Sequence, residues 1–451
     1  MASKPTAKTG KPALARRDWV PSASEHHVQA LAALAAGLDA DAIEAEILRL
    51  ADANRATHER DCINLNPATN ILNPKAERLL SMSLGNRPSL GYPGDKYEMG
   101  LEAIERIEVI AQELAAEVFG ARFVEYRVAS GAMANLYAFM TAARPGDAII
   151  VPPASIAGHV THQASGAAGL YGLVVHEGNA DPAQYTYDLG ALRAKAKNIR
   201  PKLITVAGSL NLLPHPLKEI RAIADEVGAL VLYDAAHMSG MIAGHAWQQP
   251  LVEGAHMLTM STYKSLGGPA AGLVLTNEPE LAKKLDAIAY PGMTANFDAA
   301  KTAALAVTLL DWKVHGREYA VAMAATAKAL AMALAAAGLP VHGAGYGFTT
   351  SQALAVEAGR WGGGHAAAKC LRRANILTCG IGLPIAAVDG DANGLRIGTP
   401  EIVRIGMGPE HMGELAGLIV RALIGNEEPE AVAEAASAMR RRFTGMRFVR
   451  Q

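Results

Sequence analysis

Asp234 closes the apolar run ALVLYDAAH, and thirty positions later Lys264 closes HMLTMSTYK. A lysine amine can hold an aldehyde as a Schiff base. A carboxylate against a pyridine nitrogen keeps that ring protonated and able to draw electrons from a carbanion. Taken alone, the pair is more simply read as two solvated loop charges. Upstream, Ala129, Ser130, Gly131 and Ala132 separate a short strand from a helix in RVASGAMANLYAFM. Free N–H groups and the helix dipole there can cradle a phosphate. An ordinary serine cap followed by a packing glycine fits the same letters. Arg396, in GLRIGTP, carries the fork that grips a carboxylate from two sides, although a surface arginine reads the same way.

The elements that must position these residues are short apolar runs. AIIVPP (148–153), KLITVAGS (202–209), ALVLYDAAH (229–237), HMLTMSTYK (256–264) and AGLVLT (271–276) have strand length, and PLKEIRAIADEVG (216–228) has helical spacing. This alternation predicts a mostly parallel sheet covered on both faces, with ligands at its carboxyl edge. A helix is expected over 26–50, a Gly/Pro loop over 91–100, and a helix in EAIERIEVIAQELAAEVFG ending at Gly120. Three segments are expected: an N-terminal arm and helix (1–60), a large cofactor-binding domain (61–310) and a smaller C-terminal α/β domain (311–451).

The chain has 451 residues, 50% hydrophobic and 19% charged, with a net charge of −1. That excludes general disorder and gives no basic surface for nucleic acid. Near neutrality with so much apolar surface suits a subunit interface. Cys62, Cys370 and Cys379 form neither a disulfide framework nor a CxxC metal site; no metal is expected, and the compartment is read as reducing and cytoplasmic. The segment 320–341 carries one charge, Lys328, but its apolarity is mostly alanine, so no membrane span is expected. The basic first 19 residues are read as a flexible arm.

NILNPKAE, GYPGDKY, SGAMAN, GHVTH, IADEVGALVLYDAAHMSG, TMSTYKSLGGPAAG and LRIGTPEIVRIG occur in this order. Together they resemble the serine hydroxymethyltransferase group of pyridoxal-phosphate (PLP) enzymes, fold type I, over roughly residues 60–410. The resemblance implies a seven-stranded-type sheet in the large domain. It implies Lys264 as the Schiff-base lysine, Asp234 at the pyridine nitrogen, and His237 and Ser209 near the phenolic oxygen. Ser130, Gly131 and Ala132 are implied at the phosphate, and Ile156 at the position of the ring-stacking histidine. Arg396, Tyr97 and Asn70 are implied with the substrate. The loop 290–297, with Gly292, matches one that reaches the neighbouring subunit's phosphate, so a homodimer with shared sites is expected; a tetramer stays open.

The departures from the family pattern bear on the reaction. Leu90 stands for a glutamate, Pro88 for a tyrosine, Glu98 for the second tyrosine after Tyr97, Ala68-Thr69 for Ser-Glu, Tyr263 for a histidine and Ala270 for an arginine. Leucine cannot shuttle a proton. The folate-facing groups are thus missing while the cofactor-holding ones remain. The expected function is aldol cleavage or formation at the Cα–Cβ bond of a serine-, α-methylserine- or threonine-type amino acid, without tetrahydrofolate. The alternative is a tetrahydrofolate-dependent hydroxymethyltransferase. A cofactor-binding protein without catalysis is disfavoured, because Lys264 and Arg396 are both retained. Candidates for the base at the β-hydroxyl are Glu98, His159, His162, Tyr263 and Tyr97.

Overall fold

The computed structural model describes residues 10–425 and 427–450. The chain divides into two compact units, Met1–Cys62 and Ile63–Gln451. In the first, the single helix expected over 26–50 is two helices, Ser22–Ala35 and Ala40–Arg55. Gly37 lies in the break, and Asp39 restarts the helix by accepting the Ala42 N–H at 2.9 Å. Residues 1–9 of the expected arm lie outside the described residues. The rest is tied down by Arg17, which pairs with the buried Glu25 at 2.9 Å.

In the second unit, seven strands form the main sheet: β1 (Phe123–Val128), β2 (Ala148–Val151), β3 (Val174–Glu177), β4 (Leu203–Val206), β5 (Leu230–Asp234), β6 (Met257–Ser261) and β7 (Gly272–Thr276). Their order is β1-β7-β6-β5-β4-β2-β3. Only β7 runs against the rest. Alternate residues feed two apolar layers. Ile150, Ile204, Val231, Tyr233 and Leu258 enter one, and Ile149, Val151, Leu203, Leu232 and Met257 enter the other. Burial on both faces is why these strands read as continuous apolar runs.

A smaller sheet has the order β8 (Ala353–Glu357), β10 (Gly394–Gly398), β9 (Cys379–Ile381). The 38-residue helix Ala299–Ala336 packs against the Glu102–Phe119 and Met412–Ile424 helices. Among the described residues it is the one helix long and apolar enough to cross a membrane, and 44% of its most apolar window is buried within the protein. The expected domain boundary at 310/311 falls inside this helix, so backbone hydrogen bonding continues through it and residues 63–451 form one unit. The Glu102–Phe119 helix ends as expected at Gly120, whose φ of 62° suits a residue without a Cβ.

Candidate active site

Parallel pairing of β5 with β6 sets Asp234 opposite Thr259 and brings both strand ends to one edge. Lys264 follows β6 by three residues, and its Nζ lies 3.0 Å from His237 Nε2. Burial lowers the Lys264 pKa to about 8, with Arg396 adding to the effect and Asp234 opposing it. His237 is held well below the ordinary histidine range by burial and by the charges of Lys264 and Arg396. It is therefore neutral. Arg396 reaches in from β10: its Nη1 donates to the Ser209 carbonyl and stands 3.4 Å from His237 Nε2. Lys264, His237, Ser209 and Arg396 thus meet in one place.

Asp234 is buried and fully engaged on one oxygen. Its Oδ2 accepts from Asn135 Nδ2 at 2.9 Å and His162 Nε2 at 3.0 Å, and its Oδ1 accepts from the Ala236 amide at 2.9 Å. Burial alone would raise its pKa. The hydrogen bond and charge of His162 and the Ala236 amide outweigh this and hold it below the usual carboxylate range. Oδ1 keeps lone-pair capacity for one more donor, which is what a protonated pyridine nitrogen supplies.

Of the two histidines of the 159–162 turn, His162 donates to Asp234 and His159 accepts at Nδ1. His162 Nε2 is committed to Asp234, and its Nδ1 sits 2.8 Å from Thr205 Oγ1. The Thr161 amide donates to His159 Nδ1 at 3.3 Å and fixes it as an acceptor, so the Thr161 hydroxyl gives that nitrogen its hydrogen at 2.8 Å while its oxygen accepts from Asn135 Nδ2 at 2.9 Å. Accepting twice at Nδ1, a neutral His159 must carry its proton on Nε2. Its lowered pKa, caused mainly by burial, keeps it neutral. Neither histidine is therefore placed as the base at the β-hydroxyl, which corrects both expectations.

At the helix Gly131–Ala142, Ser130 is the cap and accepts from the Met133 amide at 3.2 Å. The amides of Gly131 and Ala132 belong to the first turn, which has no acceptor inside its own helix. A Cβ on Gly131 would stand 2.1 Å from Ser261 Oγ. The space beside that hydroxyl exists only because residue 131 is glycine. This cradle, the free capacity of Asp234 Oδ1 and the neutral-prone Lys264 fit PLP, with Lys264 for its aldehyde, Asp234 for its ring nitrogen and Ser130, Gly131 and Ser261 for its phosphate. Bound there, PLP supplies the electron sink for a carbanion.

Other expected residues lie elsewhere. Ile156 is buried in an apolar cluster with Leu210, Ala355 and Ile381. Asn70 Nδ2 is taken by Tyr319 Oη at 3.0 Å and the Ser265 carbonyl at 3.4 Å, so it steadies the loop after Lys264 and is not free for a substrate. Trp312 supports the same loop through the Leu266 carbonyl, at 2.7 Å. Tyr263 is half-buried beside Lys264 in the chain. Tyr97 is 77% exposed and Gly292 is exposed. Glu98 has one carboxylate oxygen buried without a partner. Within one chain, Tyr97 and Glu98 are not among the hydrogen-bonded partners of Lys264 or Arg396. Asn135, Thr161, Thr205, Thr259 and Ser261 escaped sequence reading. All five lie inside quoted segments, Asn135 in SGAMAN, Thr161 in GHVTH, Thr205 in KLITVAGS and Thr259 and Ser261 in TMSTYK, but their contacts come from strand register and from the 159–162 turn.

Residues 40–419 match the family model of serine hydroxymethyltransferase. The chain belongs to the serine hydroxymethyltransferase family. Among its relatives, an α-methylserine aldolase from Ralstonia sp is 59% identical over 96% of this chain and 99% of that one. One from Variovorax paradoxus is 62% identical over 97% and 99%. The solved structure of an L-threonine transaldolase from Pseudomonas fluorescens superposes with a TM-score of 0.83 at 20% identity, over 91% of this chain and 94% of that chain. That likeness speaks for the fold, which is fold type I as expected. The chain is a PLP enzyme of the family, working at the Cα–Cβ bond of a β-hydroxy-α-amino acid.

Proposed function

We propose that the substrate is α-methylserine and that the chain cleaves it without tetrahydrofolate. The Cα–Cβ bond breaks, the β-hydroxyl loses its proton as its carbon leaves as formaldehyde, and a proton returned to Cα completes alanine. The observation that carries this reading is Leu90. It stands half-buried where folate-using members carry a glutamate, and a leucine side chain cannot move a proton. Relatives named α-methylserine aldolase over nearly the whole length support it. Arg396 holds the carboxylate, Asp234 keeps its charge beside the ring nitrogen, and Lys264 supplies a neutral amine near pH 8.

The exposed stretch around Gly292, together with Met99 at 83% and Tyr97 at 77% exposure, supports a homodimer whose partner covers these residues. The three free cysteines support a reducing cytoplasm. The test is a panel of α-methylserine, serine, threonine and phenylserine with trapping of released aldehyde, run with and without tetrahydrofolate. Formaldehyde from α-methylserine alone, unchanged by folate, is the expected result. Release only when tetrahydrofolate is present would make the chain a hydroxymethyltransferase instead.

A further inference from the structure

Cys379 and Arg396 are directly paired across the antiparallel strands β9 and β10. Cross-strand partners in a sheet project to the same side. Here the Cys379 Sγ lies 3.2 Å from Arg396 Nε and 3.1 Å from Nη2, so the thiol occupies one whole edge of the guanidinium. Nη1 is anchored separately on the Ser209 carbonyl. The thiol is itself held: it donates to Asn66 Oδ1 at 3.4 Å, and that oxygen also accepts the Ala68 amide at 3.0 Å. Asn66 arrives there because Ile63–Asn64 pairs in parallel with Ile376–Leu377, just ahead of Cys379. Arg396 is only 7% exposed, so little water is present to repair a misaligned donor.

A planar guanidinium receives a carboxylate through one edge at a time. With the Nε/Nη2 edge against sulfur, the edge left for a carboxylate is Nη1/Nη2. We infer that Cys379 is a positioning residue, which fixes the edge of Arg396 that receives the amino acid's carboxylate and so the orientation of the whole substrate. The inference rests on Arg396 as the carboxylate clamp of the proposed function. Sulfur suits the task because its long, soft contacts fill the edge without the charge of a competing carboxylate.

The test uses PLP-loaded enzyme, with binding read as the change in cofactor absorbance on adding α-methylserine. As a probe without a carboxylate, 2-amino-1-propanol is added in parallel. Cys379→Val, which keeps the volume and loses the hydrogen bonds, should weaken α-methylserine binding roughly tenfold, the worth of one charge-assisted contact. Binding of 2-amino-1-propanol should not change, and kcat should stay within about threefold. Cys379→Ser should restore most of the loss. Unchanged α-methylserine binding in Cys379→Val overturns the inference, as does an equal loss for both ligands, which would mean general damage. An Arg396→Leu enzyme that still prefers the carboxylate-bearing ligand overturns the clamp assignment itself. Wild-type enzyme that gives no response to α-methylserine overturns the substrate reading on which both stand.

Discussion

Asn135 illustrates how one side chain can set two others. It spends one Nδ2 hydrogen on Asp234 and the other on Thr161, while Oδ1 accepts from Thr259 at 2.7 Å. The first contact supports the charge on Asp234, and the second holds the Thr161 hydroxyl against His159. Asn135→Leu should therefore leave the fold intact and lower kcat by roughly tenfold to a hundredfold, the cost of misplaced reacting groups; single-turnover measurements at saturating substrate check it. Lys264 gives a pH prediction. Its neutral form takes over as pH rises through about 8, so capture of PLP by the apoprotein should accelerate between pH 7 and 9 and then level off. Stability carries the same sign. The unfolded lysine keeps its proton up to 10.5 while the folded one has lost it, so the apoprotein should gain stability from about pH 8 to 10.5. Lys264→Met should remove that slope, and denaturant titrations at pH 7 and 10 would detect it.

Elements act by delivering ends to the right place. The start of the Gly131–Ala142 helix is usable only if nothing fills the space beside Ser261. Gly131→Ala should weaken PLP binding at least about tenfold, because its Cβ would meet Ser261 Oγ at 2.1 Å. Gly131→Ala combined with Ser261→Gly should recover part of the loss, measured by equilibrium dialysis. The hairpin Gly91–Tyr92/Asp95–Lys96 is pinned by a buried clamp on the Glu102–Phe119 helix. Glu108 accepts from Lys96 Nζ at 2.6 Å, Ser89 Oγ at 2.5 Å and Tyr126 Oη at 2.8 Å, with both charges almost fully buried. Glu108→Ala strands a buried ammonium and should cost about 3–5 kcal/mol in urea unfolding. Strand alternation made most of the main sheet readable from its letters. The strand β3 was not, because Val174 and Glu177 are exposed and half of the run VVHE is polar. The reversal of β7 was also hidden, since an antiparallel strand buried on both faces has the same composition as a parallel one.

At the scale of the molecule, a proposed homodimer makes a sharp prediction. A Lys264→Ala chain with an intact 290–297 loop and a chain with intact Lys264 but Gly292→Trp should each be inactive alone. Mixed before assembly, they should regain roughly a quarter of wild-type activity, since half the dimers are hybrids with one complete site each. No recovery would mean that each chain builds its site alone. The near-neutral, half-apolar composition fits such an assembly, as do the exposed Tyr92, Tyr97 and Met99 of one chain.

The letters of the chain, with the family resemblance they carry in order, pointed to the chemistry. Lys264 and Asp234 at strand ends, Arg396 in GLRIGTP and the SGAMAN helix start are matters of residue type and local spacing, which a sequence records, and the family pattern marks Leu90 and Ile156 as departures. The tertiary structure alone decided who holds these residues and in which protonation state. Asn135, Thr161 and Thr259 converge from separate elements to fix Asp234 and His159; Cys379 meets Arg396 by strand register; and Asn70 turns to Tyr319, 249 positions away. Hydrogen bonds between side chains so distant in sequence leave no periodic trace, because each is chosen by packing and register and not by its neighbours along the chain.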